Sequence, residues 1–142
     1  MPRVFAIANQ KGGVAKTTTV HSLGAALAER GYRVLLVDLD PQACLTYSLG
    51  VVPEDLGGSL HDVIVHHTPA EHVVTKAGDL HLLPATIDLA GAEIYLLSKT
   101  GREYALARAI EPIAGSYDVV LVDCPPSLGI LTINGLTAAD EV

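Results

Sequence analysis

Tryptophan is absent from this chain, phenylalanine occurs once and tyrosine five times. So few rings argue against a stacking platform for single-stranded nucleic acid. Positive charge is also scarce: nine lysines and arginines face sixteen aspartates and glutamates, a net charge of −7. That sign is wrong for holding nucleic acid through the field of the whole chain, so any DNA contact needs a local patch or an assembly. Two cysteines, Cys44 and Cys124, cannot make a disulfide framework, and neither sits in a C-x-x-C pair. No apolar run approaches the ~20 residues that span a bilayer. The run after Met1-Pro2-Arg3 is too short for a signal-peptide core. A soluble cytoplasmic protein with no membrane partner is the expectation.

Apolar residues, by contrast, make up 49% of the 142 positions, enough to bury the core of a single domain over residues 1–142. Three runs stand out: Val4-Phe5-Ala6-Ile7-Ala8, Val34-Leu35-Leu36-Val37 and Val119-Val120-Leu121-Val122. Each is continuous rather than alternating and is closed by polar or turn residues, the pattern of strands covered on both faces. Leu80 to Leu83, ended by Pro84, reads as a fourth and weaker strand. Helical spacing runs from Thr17 to Arg30 with Gly31 as its stop, from Ile87 to Ser98, and from Arg102 to Ala114. The order predicts an α/β fold with an open, mostly parallel sheet flanked by helices. Residues 51–78, with Pro53, Gly57-Gly58 and Pro69, read as a surface excursion holding one short helix at Ser59 to Val65.

The informative segment is Asn9-Gln10-Lys11-Gly12-Gly13-Val14-Ala15-Lys16-Thr17-Thr18-Thr19, between a strand pattern and a helix pattern. Small residues let backbone N–H groups turn inward around an anion, and the helix N-terminus adds its positive dipole end. Lys16 is placed to neutralise phosphate oxygens and the Thr17 hydroxyl to ligate Mg²⁺. The bland alternative is a Gly-rich turn with chance lysines.

Two acidic strand ends accompany the loop. Asp38 and Asp40, in Val37-Asp38-Leu39-Asp40-Pro41-Gln42, lie on one side at the C-terminal end of a strand, where ligands sit in open α/β sheets. Asp40 could orient or deprotonate an attacking water and Asp38 support a metal shell; either one alone also fits a turn or cap before Pro41. Asp123, closing the run Val119–Val122, is placed to hold Mg²⁺ through a water.

The loop is not an ordinary Walker A motif, which would need glycine at positions 10 and 15, held here by Gln10 and Ala15. Its pattern, K-G-G-x-[GA]-K-[ST]-[ST], resembles the deviant Walker A of the P-loop ATPase superfamily of ParA, MinD and nitrogenase iron proteins. Asp38 to Gln42 is similar to that superfamily's first switch. Asp123-Cys124-Pro125-Pro126-Ser127-Leu128-Gly129 and the segment Leu131 to Val142 resemble the ParA/Soj branch.

The resemblance implies a Mg²⁺- and ATP-dependent partition switch that hydrolyses ATP slowly and under stimulation by a ParB-like protein. It implies an ATP-dependent homodimer in which Lys11 acts in trans, while Lys16, Thr17 and Thr18 act in cis with the amides of Gly12, Gly13, Val14 and Ala15. Non-specific DNA binding and nucleoid association belong to longer relatives. The alternative is a MinD-like, nucleotide-gated positioning module with little hydrolysis. Family members are usually much longer, so the chain is expected to be the N-terminal portion of their domain, cut after the Walker B region. The next strand would start near Asp140-Glu141-Val142 and pair beside the loop strand. In isolation the chain is expected to be a poor ATPase and not a competent DNA binder. Ala15 is expected to hold ordinary backbone angles. The five histidines from His61 to His81 lack tight ligand spacing and read as solvated or capping groups. Cys124 reads as a small buried residue rather than a cluster ligand.

Overall fold

A computed structural model of the chain describes residues 2–8 and 14–142, with Val14 described through its backbone. The expected phosphate-loop residues Lys11, Gly12 and Gly13 lie outside the described residues. Five strands form one sheet: β1 (Arg3–Ile7), β2 (Val34–Asp38), β3 (Thr75–Ala77), β4 (Leu80–Leu83) and β5 (Val119–Asp123). Their spatial order is β1-β5-β2-β4-β3. All neighbours are parallel except the β3/β4 hairpin. Every residue of β2 and β5 is buried, which is why these strands read as unbroken apolar runs.

The helices are α1 (Val14–Glu29), α2 (Cys44–Ser48), α3 (Leu60–Val65), α4 (Leu89–Leu97), α5 (Ala105–Ala114) and α6 (Ile130–Ala138). Strand alternation sorts the core into two layers. Val34, Leu36, Val119 and Leu121 pack with Val20 of α1 and Leu45 of α2 on one face. Leu35, Val37, Val120 and Val122 pack with α3 to α6 on the other. Position 38 continues the parity of 34 and 36, and position 123 that of 119 and 121, so both aspartates belong to the α1 face.

Helix α1 lies close to the sheet because Gly24 carries no side chain: a Cβ there would stand 2.9 Å from Leu36 Cδ2. The helix ends at Gly31, whose φ of +91° lets the Gly31 and Tyr32 amides return to Ala28 and Leu27 carbonyls at 3.0 and 3.2 Å. It begins at Val14, three residues before the expected start, so Ala15 and Lys16 form its first turn. Ala15 is not among the positive-φ residues, in keeping with the ordinary angles expected of it.

The stretch 51–78 differs from its reading as a surface excursion. Leu60, Val63, Ile64, Ala70 and Val73 are buried in the α3–α6 core layer. The Ser59 amide donates to Asp62 Oδ2 at 2.8 Å, fixing the start of α3. Residues Thr75–Ala77 form an antiparallel edge strand joined to β4 through Gly78 at φ +61°. Three residues without an apolar run carry no strand signal, and here the two-residue turn with its glycine makes the hairpin.

On the free side of β1, Glu141 bridges Phe5 in parallel, and the Ala6 amide donates to the Glu141 carbonyl at 2.9 Å. β1 is thus the edge strand of the sheet, and where a further strand was expected to start there is one isolated bridge at Glu141.

Candidate nucleotide site

The sheet register sets the site. Asp38 and Asp123 occupy the same rung of the adjacent parallel strands β2 and β5, and Ile7 occupies that rung on β1. Neighbouring strands lie ~4.8 Å apart. The first turn of α1 stands over this rung. The Lys16 ammonium donates to Asp123 Oδ1 in a buried ion pair, and the Thr17 hydroxyl donates to Asp123 Oδ2 at 2.9 Å. Lys16, Thr17 and Asp123 are all buried, whereas Ala15 and Thr18 are exposed. Burial pushes the Asp123 carboxyl above its ordinary range, against the pull of Lys16 and Thr17.

Asp38, fully buried, is held by three donors. Its Oδ2 accepts the Thr46 amide at 2.9 Å and the Thr46 hydroxyl at 2.7 Å, and its Oδ1 accepts the Asp40 amide at 3.2 Å. These bonds on both oxygens anchor the loop after β2. Burial pushes its pKa up to about 7, against the hydrogen bonds from Thr46, with the Asp123 charge adding to the rise. Asp40 Oδ1 accepts the Gln42 amide at 3.0 Å, the turn-forming bond that the bland reading allowed. Ala43, buried and at φ 58°, then enters α2 in the left-handed region. A non-glycine residue there stores of order 1–3 kcal/mol of strain that the surrounding contacts hold in place.

Buried polar residues that the sequence does not single out complete the frame. The Thr46 hydroxyl also accepts the Ala85 amide at 3.1 Å, joining the loops after β2 and β4. Thr132 of α6 donates to the carbonyls of Pro125 and Ser127, holding the loop after β5. Asn134 accepts the Leu106 amide at 3.0 Å and donates to the Arg102 and Ile130 carbonyls at 2.9 and 2.8 Å, capping α5 from α6.

Cys124 is fully buried, its thiol pushed up to about 12 by burial and by Asp123. The neighbouring helix backbone comes so near that a Cβ at Gly135 would stand 2.6 Å from Cys124 Sγ. Cys44 is exposed at the start of α2, its thiol raised by burial and nearby carboxylates. Among the histidines, His81 Nδ1 lies 2.8 Å from the Tyr117 hydroxyl, and His61 and His66 meet edge to face. Beside the Asp40 turn opens a cavity of about 580 Å³, lined in part by Pro41, Gln42, Glu54 and Asp62 but by none of Lys16, Thr17 or Asp123. The cation and the hard oxygen donors thus meet in the buried cluster and not in this cavity. Among the described residues no helix is long and apolar enough to cross a membrane.

A parallel sheet whose first strand feeds a helix bearing a buried lysine and threonine, opposite an aspartate ending a neighbouring strand, defines the P-loop NTPase class. A family model described as an AAA domain (AAA_31) matches residues 2–142, and the chain belongs to that family. Over its full length the chain is 49% identical to the sporulation initiation inhibitor protein Soj of Bacillus subtilis and covers 57% of it. It is 44% identical to the chromosome partitioning protein ParA of Myxococcus xanthus, with 99% of the chain and 50% of that protein covered. It superposes with a TM-score of 0.95 on a Mycobacterium smegmatis structure described as cobyrinic acid a,c-diamide synthase with bound ATP analogue and magnesium. That match is 60% identical and covers 98% of this chain and 57% of the other. The chain thus spans about half the length of the relatives it matches.

Proposed function

We propose that this chain carries the Mg²⁺–ATP site of a ParA-like partition switch. The observation that carries the reading is the buried convergence of Lys16, Thr17 and Asp123 at the N-terminus of α1. One hydroxyl and one carboxylate are hard oxygen donors suited to Mg²⁺, which keeps waters and phosphate oxygens in its remaining positions. Bound Mg²⁺ would neutralise phosphoryl charge during transfer.

In this reading Lys16 exchanges Asp123 for the β- and γ-phosphate oxygens. Thr17 and Asp123 would hold the metal, while Asp38 would support that shell by fixing the loop. Amides of Gly12, Gly13, Val14 and Ala15, with Thr18, surround the phosphates from the same subunit. Lys11 reaches the phosphates of a second copy, so ATP binding favours a homodimer and charge developing in transfer is stabilised across the interface. Asp40 orients the attacking water. A ParB-like protein stimulates the slow turnover.

Isothermal titration with Mg²⁺–ATP and light scattering test this together. Lys16→Ala should lose nucleotide binding, whereas Lys11→Ala should keep it and lose the ATP-dependent dimer. Unchanged ATP affinity in Lys16→Ala would refute the assignment.

The description of the Mycobacterium smegmatis structure favours a second reading, in which the same site activates a carboxylate for amide formation. The partitioning role is preferred because the residues from Asp123 to Gly129 resemble the ParA/Soj branch, and the Myxococcus xanthus relative is named for chromosome partitioning. An assay with ATP, glutamine and a corrinoid acid separates the two, since amide product appears only in the second.

A further inference from the structure

A second cavity, about 460 Å³, lies on the α3–α6 side of the sheet, walled by α3, the turn after it, α4 and α5. Its floor is apolar, formed by Val63, Ile64, Leu96, Ala105 and Ala109. The charged and ionisable groups at its wall are Lys99, Arg108 and His67, with the phenol of Tyr95; no carboxylate lines it among the described residues. Acids outnumber bases sixteen to nine in this chain, so a wall of bases alone runs against its composition. Among the described residues the ion pairs are Arg3–Glu141, Lys16–Asp123 and Arg33–Asp118, so neither Lys99 nor Arg108 is neutralised by them.

Local features place these groups. The Lys99 ammonium stands 4.7 Å from the centre of the Tyr95 ring, which holds it at the wall. Arg108 Nη1 lies 3.3 Å from where a Cβ of Gly101 would stand, and Gly101 itself needs its φ of +69°. His67 adopts φ 56°, the left-handed region that non-glycine residues rarely take, in a turn closed by the Thr68 amide on the Asp62 carbonyl at 3.2 Å. The volume is that of a pocket for one small molecule.

We propose that this cavity binds a small amphipathic anion. An apolar or aromatic body rests on Ile64, Ala105 and Ala109, and its carboxylate, phosphate or sulfonate pairs with Lys99 and Arg108. None of these residues belongs to the loops after β1, β2 or β5, so the site stands independently of the nucleotide reading.

The test uses 8-anilinonaphthalene-1-sulfonate and its neutral relative N-phenyl-1-naphthylamine on the purified chain, followed by fluorescence and amide chemical shifts. The sulfonate should bind one to one, shift the amides of Tyr95, Ala105 and Ala109, and bind at least ~10-fold more tightly than the neutral probe. The double variant Lys99→Ala/Arg108→Ala should abolish that preference while leaving the neutral probe's affinity unchanged. Ala109→Trp, which fills the floor, should exclude both; if it fails to fold, the double variant decides alone. Saturating Mg²⁺–ATP should leave the probe bound. Equal affinity for the two probes, shifts confined to other surfaces, or displacement by ATP would each overturn the proposal.

Discussion

Thr46 gives Asp38 two donors, the amide at 2.9 Å and the hydroxyl at 2.7 Å, from eight residues further along the chain. The same hydroxyl accepts the Ala85 amide, so one buried side chain ties the end of β2, the start of α2 and the loop after β4. Thr46→Val keeps the shape and removes the hydroxyl, leaving the Ala85 amide unpaired and Asp38 short of a donor. A loss of ~2–4 kcal/mol in urea unfolding is expected, with Thr46→Ser recovering most of it. A loss below ~0.5 kcal/mol would show that the tie contributes nothing.

Asp38 also predicts a pH dependence. Its pKa rises from 3.8 to about 7 on folding because burial disfavours the carboxylate. The folded state therefore holds this proton where the unfolded chain releases it. The stability it contributes is complete below about 4 and is lost as pH rises through about 7. The difference in unfolding free energy between the wild type and Asp38→Asn should shrink over that window by a few kcal/mol, since each tenfold gain in proton affinity on folding is worth about 1.4 kcal/mol. A flat difference between those two pH values would remove Asp38 as its source.

The contact of Gly135 with Cys124 predicts a rescue. Gly135→Ala brings a Cβ to 2.6 Å from Cys124 Sγ and 3.2 Å from Leu39 Cδ2, and overpacking of this kind costs ~1–3 kcal/mol. Cys124→Ala removes the nearer obstacle, so the double variant should be more stable than the sum of the single effects predicts. Strict additivity in a thermal or urea series would mean that α6 moves away instead.

Asp40 separates the two functional classes. In a hydrolysing switch, Asp40→Ala should retain ATP, hold the dimer and stop phosphate release. Equal, slow phosphate release from wild type and variant would mark a nucleotide-gated binding module instead. Nucleotide-dependent mass, followed beside a phosphate assay, supplies both readouts.

The parallel core was legible because β2 and β5 are buried on both faces, and an apolar run ending in aspartate records that directly. Gly31 likewise announced the end of α1. The register that sets Asp38 beside Asp123 was not legible, since strand order is decided by long-range packing rather than by either run. The burial of residues 60–73 was hidden because their apolar positions are broken up by histidines, Pro69 and flanking glycines. Lys16, Thr17 and Asp123 stood out through the Gly-rich loop, the apolar run ending in aspartate and the resemblance they carry, and the fold brings the three together. The roles of Thr46 and Asn134 were not, because a buried hydrogen-bond partner many residues away leaves no trace in local pattern.

The shared rung of Asp38 and Asp123 has a last consequence. A cation arriving at Asp123 would quiet the repulsion that helps keep Asp38 protonated, strengthening the carboxylate's grip on Thr46 without any strand having to slide. Occupancy at one loop would then be felt at the other through space, at the speed of a proton's departure.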